Sequence, residues 1–215
     1  MPWIADDRYL TLDEMRNNAE ISLPELRNAG WNDLSIAAAF GNIQIESTFS
    51  PALNEVGGSG YGLVQWTPIS VLIEHAQTLG LSPYTDGSVQ IRVMNAEVRG
   101  QSSVNEWYTS SGFISPYYES GATSDMVGVS GQQFIENTFN WSVEKLTTLF
   151  MVAYLRPSYD SQSNFWQTRR VYASLWLEWI NGTHPSKPPI PSWDVPAYIQ
   201  WGGIAETIRR RRIKL

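Results

Sequence analysis

Carboxylates are the side chains in this sequence whose setting best suits bond-breaking chemistry, because the other usual devices are missing. The 215 residues contain no cysteine, which excludes thiol nucleophiles and a disulfide framework. The two histidines, His75 and His184, stand far apart and lack the close spacing of a zinc peptidase or amidase. There is no Gly-x-Ser-x-Gly nucleophile elbow, and the glycine-rich run from Gly57 to Gly62 lacks the lysine of a phosphate-binding loop. No metal and no cofactor are expected. Among the acids Glu46 stands out, because it closes a helix that reads as buried. A carboxylate sits poorly at a helix C-terminus and poorly in an apolar setting. Both effects disfavour the charged form, which suits a general acid that must hold its proton. The competing reading is an acid frayed into solvent or paired with an arginine.

The elements that position Glu46 follow from spacing. Thr11 and Glu14 have the spacing of a capping box, so a helix is expected from there to about Arg27, with Pro24 as a possible interruption. Asn32 and Asp33 can start the next helix. Leu34, Ala38, Gly41 and Ile45 fall on one of its faces and Ile36, Phe40 and Ile43 on another, as in a buried helix. It should end near Ser47 or Thr48, since Pro51 cannot continue it. Residues 54–66 read as a small β-hairpin or irregular sheet around the glycine turn. Helical patterns return at about 69–80 and 88–99, and residues 101–131 read as a long loop. Two further helices are expected, Ser142 to Leu155 and Asn164 to Ile180, the second with a stripe of Phe165, Tyr172, Leu175, Trp176 and Trp179. The fold class is therefore α+β, mostly helical, with a small hairpin beside a cleft.

Composition bounds the rest. Five positive charges crowd into residues 209–214, and the remaining ten Lys and Arg face 21 Asp and Glu, so the body lies near −11. Such a body repels nucleic acid, and no nucleic-acid partner is expected. Met1 to Arg8 does not look like a signal peptide, and no apolar run is long enough to span a membrane.

The segment Gly41-Asn42-Ile43-Gln44-Ile45-Glu46-Ser47-Thr48-Phe49-Ser50-Pro51, followed by Gly60-Tyr61-Gly62-Leu63-Val64-Gln65-Trp66-Thr67-Pro68, resembles the lysozyme domain of phage tail proteins. It is similar above all to the tail-tip wall-degrading enzymes of short-tailed phages. It shares a wider Glu-Ser then Gly-Leu-x-Gln pattern with goose-type lysozymes and lytic transglycosylases. Tyr9 to Met15, Gly30-Trp31, Asn105 to Trp107 and Leu149 to Pro157 extend the likeness over about 9–180. The resemblance implies a lysozyme-like fold and a glycosidase that cuts peptidoglycan between N-acetylmuramic acid and N-acetylglucosamine. Glu46 matches the catalytic acid. Tyr61 and Gln65 match the cleft-bordering hairpin, and Tyr154 matches a helix tyrosine near the acid, although core packing explains Tyr61 and Tyr154 equally well. Trp66 suits either a sugar face or the buried side of the hairpin. The partner of the acid is unassigned; Glu55 is near in sequence but reads better as a loop acid. A transglycosylase, an endolysin and a non-catalytic wall-binding tail protein are the alternatives. Residues 112–130 look like an insertion. The expected division is a catalytic domain over 1–180, a Pro-rich linker over 181–192, and an appendage over 193–215 that docks on other tail proteins. The expected location is the virion tail tip.

Overall fold

The structure, a computed structural model, describes residues 1–101, 103–157 and 163–183. The 193–215 appendage and nearly all of the expected linker lie outside these residues. So does His184.

Helix α1 (Leu12–Asn28) begins as its capping box requires. The Glu14 amide donates to the Thr11 hydroxyl at 3.4 Å, and the Glu14 carboxylate accepts from the Thr11 amide at 2.8 Å. Pro24 sits inside the helix without ending it. Helix α2 (Asp33–Ser47) starts where Asn32 accepts from the Leu34 amide at 2.9 Å, and it is buried nearly all round from Ser35 to Ile45. It is the central element, packed between α7 (Val143–Phe150) and α8 (Ser163–Ile180). Gly41 permits that contact: a Cβ there would lie 2.6 Å from the backbone nitrogen of Ala173 and 2.6 Å from the carbonyl oxygen of Arg169.

Proline is not what stops α2. Thr48 and Phe49 both adopt left-handed conformations, at φ 49° and 64°, and turn the chain before Pro51 is reached. Such a backbone costs an aromatic residue about 1–3 kcal/mol. The Phe49 ring is fully buried, with its centroid 5.0 Å from those of both Phe40 and Trp176. Full burial of a phenylalanine contributes about 1.5–3 kcal/mol, which offsets the strain.

The expected β-hairpin does not form as strands. Residues 54–66 make only isolated bridges, Asn54 with Tyr61 and Tyr61 with Trp66. The amides and carbonyls of Tyr61 and Trp66 exchange bonds at 3.1 and 3.0 Å. Gly62 at φ 76° and Gln65 at φ 55° form the loop between them, and on the outer side Pro68 has no N–H with which to extend the ladder. The architecture is therefore mostly helical, with an irregular turn where the hairpin was expected.

Helices α3 (Ile69–Thr78) and α4 (Gly87–Val98) follow the expected spans, and Asp86 caps α4 by accepting from the Val89 amide at 3.1 Å. The segment expected to be loop over 101–131 instead contains helix α5 (Ser111–Ile114) and two 3₁₀ turns, Ser115–Ser120 and Ser124–Met126. Short α6 (Gly131–Glu136) precedes α7. At its C-terminal end α7 widens into a π-helical turn, Met151–Leu155, closed by the Arg156 amide donating to the Met151 carbonyl at 2.8 Å. In α8 the deeply buried stripe is Trp166, Arg169, Ala173 and Trp176; it shares Trp176 with the expected stripe but takes Trp166 and Ala173 in place of Phe165 and Tyr172, while Tyr172 and Trp179 pack half-buried beside it. The sequence pattern misleads here because the fully buried positions facing α2 include an arginine and an alanine.

Candidate active site

Helix α2 delivers Glu46 to its last turn. Its side chain is 15% exposed, and its carboxylate is ion-paired at 2.7 Å with Arg169, which is 6% exposed. Arg169 also donates to the Asn42 side-chain oxygen at 3.0 Å, so the guanidinium bridges two successive turns of α2. Of the readings the sequence left open for this carboxylate, the structure has the one paired with an arginine. The arginine was hidden from the sequence reading because it lies 123 residues away on α8.

The next residue ties the acid to the turn. The Ser47 hydroxyl donates to the Leu63 carbonyl at 2.9 Å. From the other side Gln90, fully buried on α4, accepts from the Leu63 amide at 2.9 Å and donates to the Pro51 carbonyl at 2.8 Å. A Cβ on Gly62 would collide with the Gln90 amide group, so this close approach requires glycine. Gln65 braces the turn from within, donating to the Leu53 and Gly62 carbonyls at 3.1 and 3.0 Å. Glu55 accepts from the Gly60 amide at 2.9 Å and closes the preceding loop.

Beyond the turn lies a cavity of about 450 Å³, within the size range of small-molecule sites. Gln65, Trp66, Val71, Tyr154, Glu106 and Arg156 are among its lining residues. The structure thus brings Gln65, Trp66 and Tyr154 together. Tyr61 is buried against Tyr84, with ring centroids 5.9 Å apart, and burial raises its pKa. Neither Tyr61 nor Glu46 is among the lining residues. Glu46 joins the wall indirectly, since Ser47 binds Leu63 and Leu63 precedes the lining residue Val64.

Two carboxylates in the lining escaped the sequence reading. Glu106 pairs with Arg156 at 2.7 Å, and the Arg156 guanidinium stacks 4.7 Å from the Tyr108 ring centroid. Glu97, near the end of α4, has a fully buried side chain. It accepts from the Trp66 indole at 3.0 Å on both oxygens, from the Tyr154 hydroxyl, and pairs with His75 Nδ1 at 2.6 Å. Burial pushes the Glu97 carboxyl up, against the opposing pull of its partners. The bond to Glu97 raises the His75 imidazole, and burial raises the Tyr154 phenol well above its ordinary range. The signal for Glu97 was present: Val93, Met94, Ala96 and Val98 surround it with apolar residues.

Among the described residues, no three His, Cys, Asp or Glu side chains converge to hold a metal ion, and no helix is long and apolar enough to cross a membrane.

A buried central helix, ended by a carboxylate and braced against an irregular turn beside a cavity, defines a mostly helical, lysozyme-like domain. The chain belongs to the phage tail lysozyme family, whose model matches residues 17–180. It is also similar to Morphogenesis protein 1 of Bacillus phage B103, with 27% identity over 179 residues. That alignment covers 81% of this chain and 42% of the relative, so the chain spans less than half of that protein's length.

Proposed function

We propose that this chain is a tail-associated peptidoglycan glycosidase, with Glu46 as the general acid. The reading rests on one observation: in a member of the phage tail lysozyme family, a mostly buried carboxylate ends the central helix and is tied, through Ser47, to the turn bordering the cavity. Glu46 would protonate the glycosidic oxygen between N-acetylmuramic acid and N-acetylglucosamine. Arg169, 2.7 Å away, would meet the carboxylate that remains once the proton has gone. Gln65, Trp66 and Tyr154 would contact the glycan in the cavity, and Tyr61 would support the turn from behind. The setting would be the virion tail tip during entry into the host. Peptidoglycan and neighbouring tail proteins are the proposed partners, with residues 193–215 as the docking segment. Truncation at Ser186 tests the docking, since unchanged incorporation into particles would refute it.

The enzyme test is digestion of purified Gram-positive peptidoglycan by the wild type and Glu46→Gln, followed by mass analysis of the fragments. Fragments released by the wild type alone support the reading. Reducing ends mark a hydrolase and anhydro ends a transglycosylase. One observation favours a second reading, a wall-binding tail component that does not cut: Glu46 is occupied by Arg169 and lies outside the cavity lining. Binding of a well-folded wild type to the wall without cleavage would select it.

A further inference from the structure

We propose that Glu97 is a positioning residue: its buried carboxyl group, hydrogen-bonded to His75, sets Trp66 and Tyr154 in the cavity wall against the glycan. The proposal rests on the glycosidase reading for its substrate, but its geometry stands alone. Four segments meet at this carboxylate: Trp66 from the irregular turn, His75 from α3, Glu97 from α4, and Tyr154 from the π-helical turn. Trp66, Glu97 and Tyr154 all line the cavity.

A buried ion pair is a poor way to stabilise a fold, because desolvation cancels most of its attraction. An apolar side chain would fill this place at least as well. What a carboxylate alone supplies is two acceptor atoms that together satisfy an indole N–H, a phenol O–H and an imidazole N–H. It fixes the direction of each ring. The π-helical turn serves the same end, since its extra residue swings Tyr154 out of ordinary helical register, and such turns gather at functional sites.

Glutamine in place of Glu97 keeps one acceptor and presents an amide donor on the other side. The tyrosine hydroxyl can rotate to accept from that donor, but the indole N–H cannot. The indole N–H, which sits 3.0 Å from both oxygens of Glu97, then faces a donor on one side and must shift toward the oxygen that remains. The charges facing the cluster are few. His75 meets Glu97, Glu74 from its own helix, and Glu106; Tyr154 meets Glu97, Glu106 and Arg156.

The test compares the wild type with Glu97→Gln in two measurements. In nitrogen–proton correlation spectra, the Trp66 indole resonance, assigned with Trp66→Phe, should titrate with the His75 ring. It should move and lose that titration in Glu97→Gln. Steady-state kinetics on solubilised glycan strands, well below the Tm of each protein, should show kcat down about 10–100-fold, the loss that a displacement near 1 Å can cause. The wild-type rate should decline as pH rises through the His75 transition, and the variant should lack that limb. An unmoved indole resonance with wild-type kcat overturns the proposal, as does a rate loss that merely follows the unfolded fraction. If the wild type cuts nothing, the glycosidase reading fails by itself. Binding of an N-acetylglucosamine oligomer then decides the positioning role: affinity about tenfold weaker in Glu97→Gln supports it, and equal affinity overturns it.

Discussion

Gly41→Ala is the most direct probe of the contact that holds the acid and its arginine together. In an isolated helix this change would stabilise by about 1 kcal/mol, because glycine is a poor helix former. Here the new methyl would sit 2.6 Å from the Ala173 nitrogen, 2.6 Å from the Arg169 oxygen and 2.8 Å from the Ala173 Cα, against 3.4–4 Å for ordinary contact. All three atoms are backbone, so no side chain can swing aside, and α8 must withdraw as a body. Overpacking of this kind costs about 1–3 kcal/mol, and rigid neighbours place it at the top of that range. Subtracting the gain in propensity leaves a net loss of about 1–2 kcal/mol. For a chain of this size that lowers Tm by about 2–8 °C. Thermal and urea unfolding followed by circular dichroism measures it. Gly112→Ala is the control, because its Cβ would meet nothing within 4 Å. Equal or greater stability in Gly41→Ala would refute the α2–α8 register. Because the Arg169 carbonyl is one of the atoms struck, the same variant should also loosen the Arg169–Glu46 pair.

Three further outcomes follow from the same geometry. Arg169→Met should destabilise the fold by about 3 kcal/mol, because it strands a mostly buried carboxylate, and adding Glu46→Gln should restore part of that loss; urea melts of both variants measure the coupling. Stability should fall as pH rises: the folded pKa of Glu97 is raised, so its contribution is complete below about 4.5 and is lost through its folded value, and that of His75 is raised, so its contribution is complete below about 6.5 and is lost through its own folded value. A flat urea midpoint from pH 6 to 9, or an unchanged slope in Glu97→Gln, would contradict it. Thr11→Ala should cost about 1 kcal/mol by removing the α1 cap, which equilibrium unfolding can resolve.

Local signals made much of the helical frame legible. Thr11, Asn32, Asp86 and Ser142 each cap the helix that follows them, and a cap is written within four residues of sequence. The turn at 54–66 was harder. Its glycines announced a reversal, but the loop closes on Gln65 in a left-handed backbone, which no propensity predicts for glutamine, and Pro68 stops the ladder just beyond it. The short helices within 101–131 were missed because four-residue elements are too brief to show a period. The stripe on α8 was placed correctly at Trp176 but missed Arg169 and Ala173, because hydrophobicity ranks a charged residue and an alanine below the aromatics beside them. In the fold it is Arg169 that faces the buried end of α2.

Glu46 and Glu97 show where reasoning from a helix end stops. Each lies in the last turn of a helix with apolar neighbours, and the same sequence argument applies to both. Their surroundings separate them, and those surroundings come from remote parts of the chain. Glu46 meets a guanidinium from α8 and keeps partial access to solvent. Glu97 meets an imidazole and two aromatic donors, and it has no access at all. A general acid must reach the bond it protonates, so the exposed member of the pair is the one suited to proton transfer. Glu97 borders the cavity, but its side chain is fully buried and both its oxygens are taken by donors, so it acts through the side chains that it holds, here Trp66 and Tyr154. Glu46→Gln and Glu97→Gln should therefore differ in kind. The first removes the proton donor while the wall of the cavity stays in place, and the second keeps the donor and disturbs the wall. If both variants lose activity while only Glu97→Gln shifts the Trp66 resonance, the two carboxylates divide the work as their exposure implies.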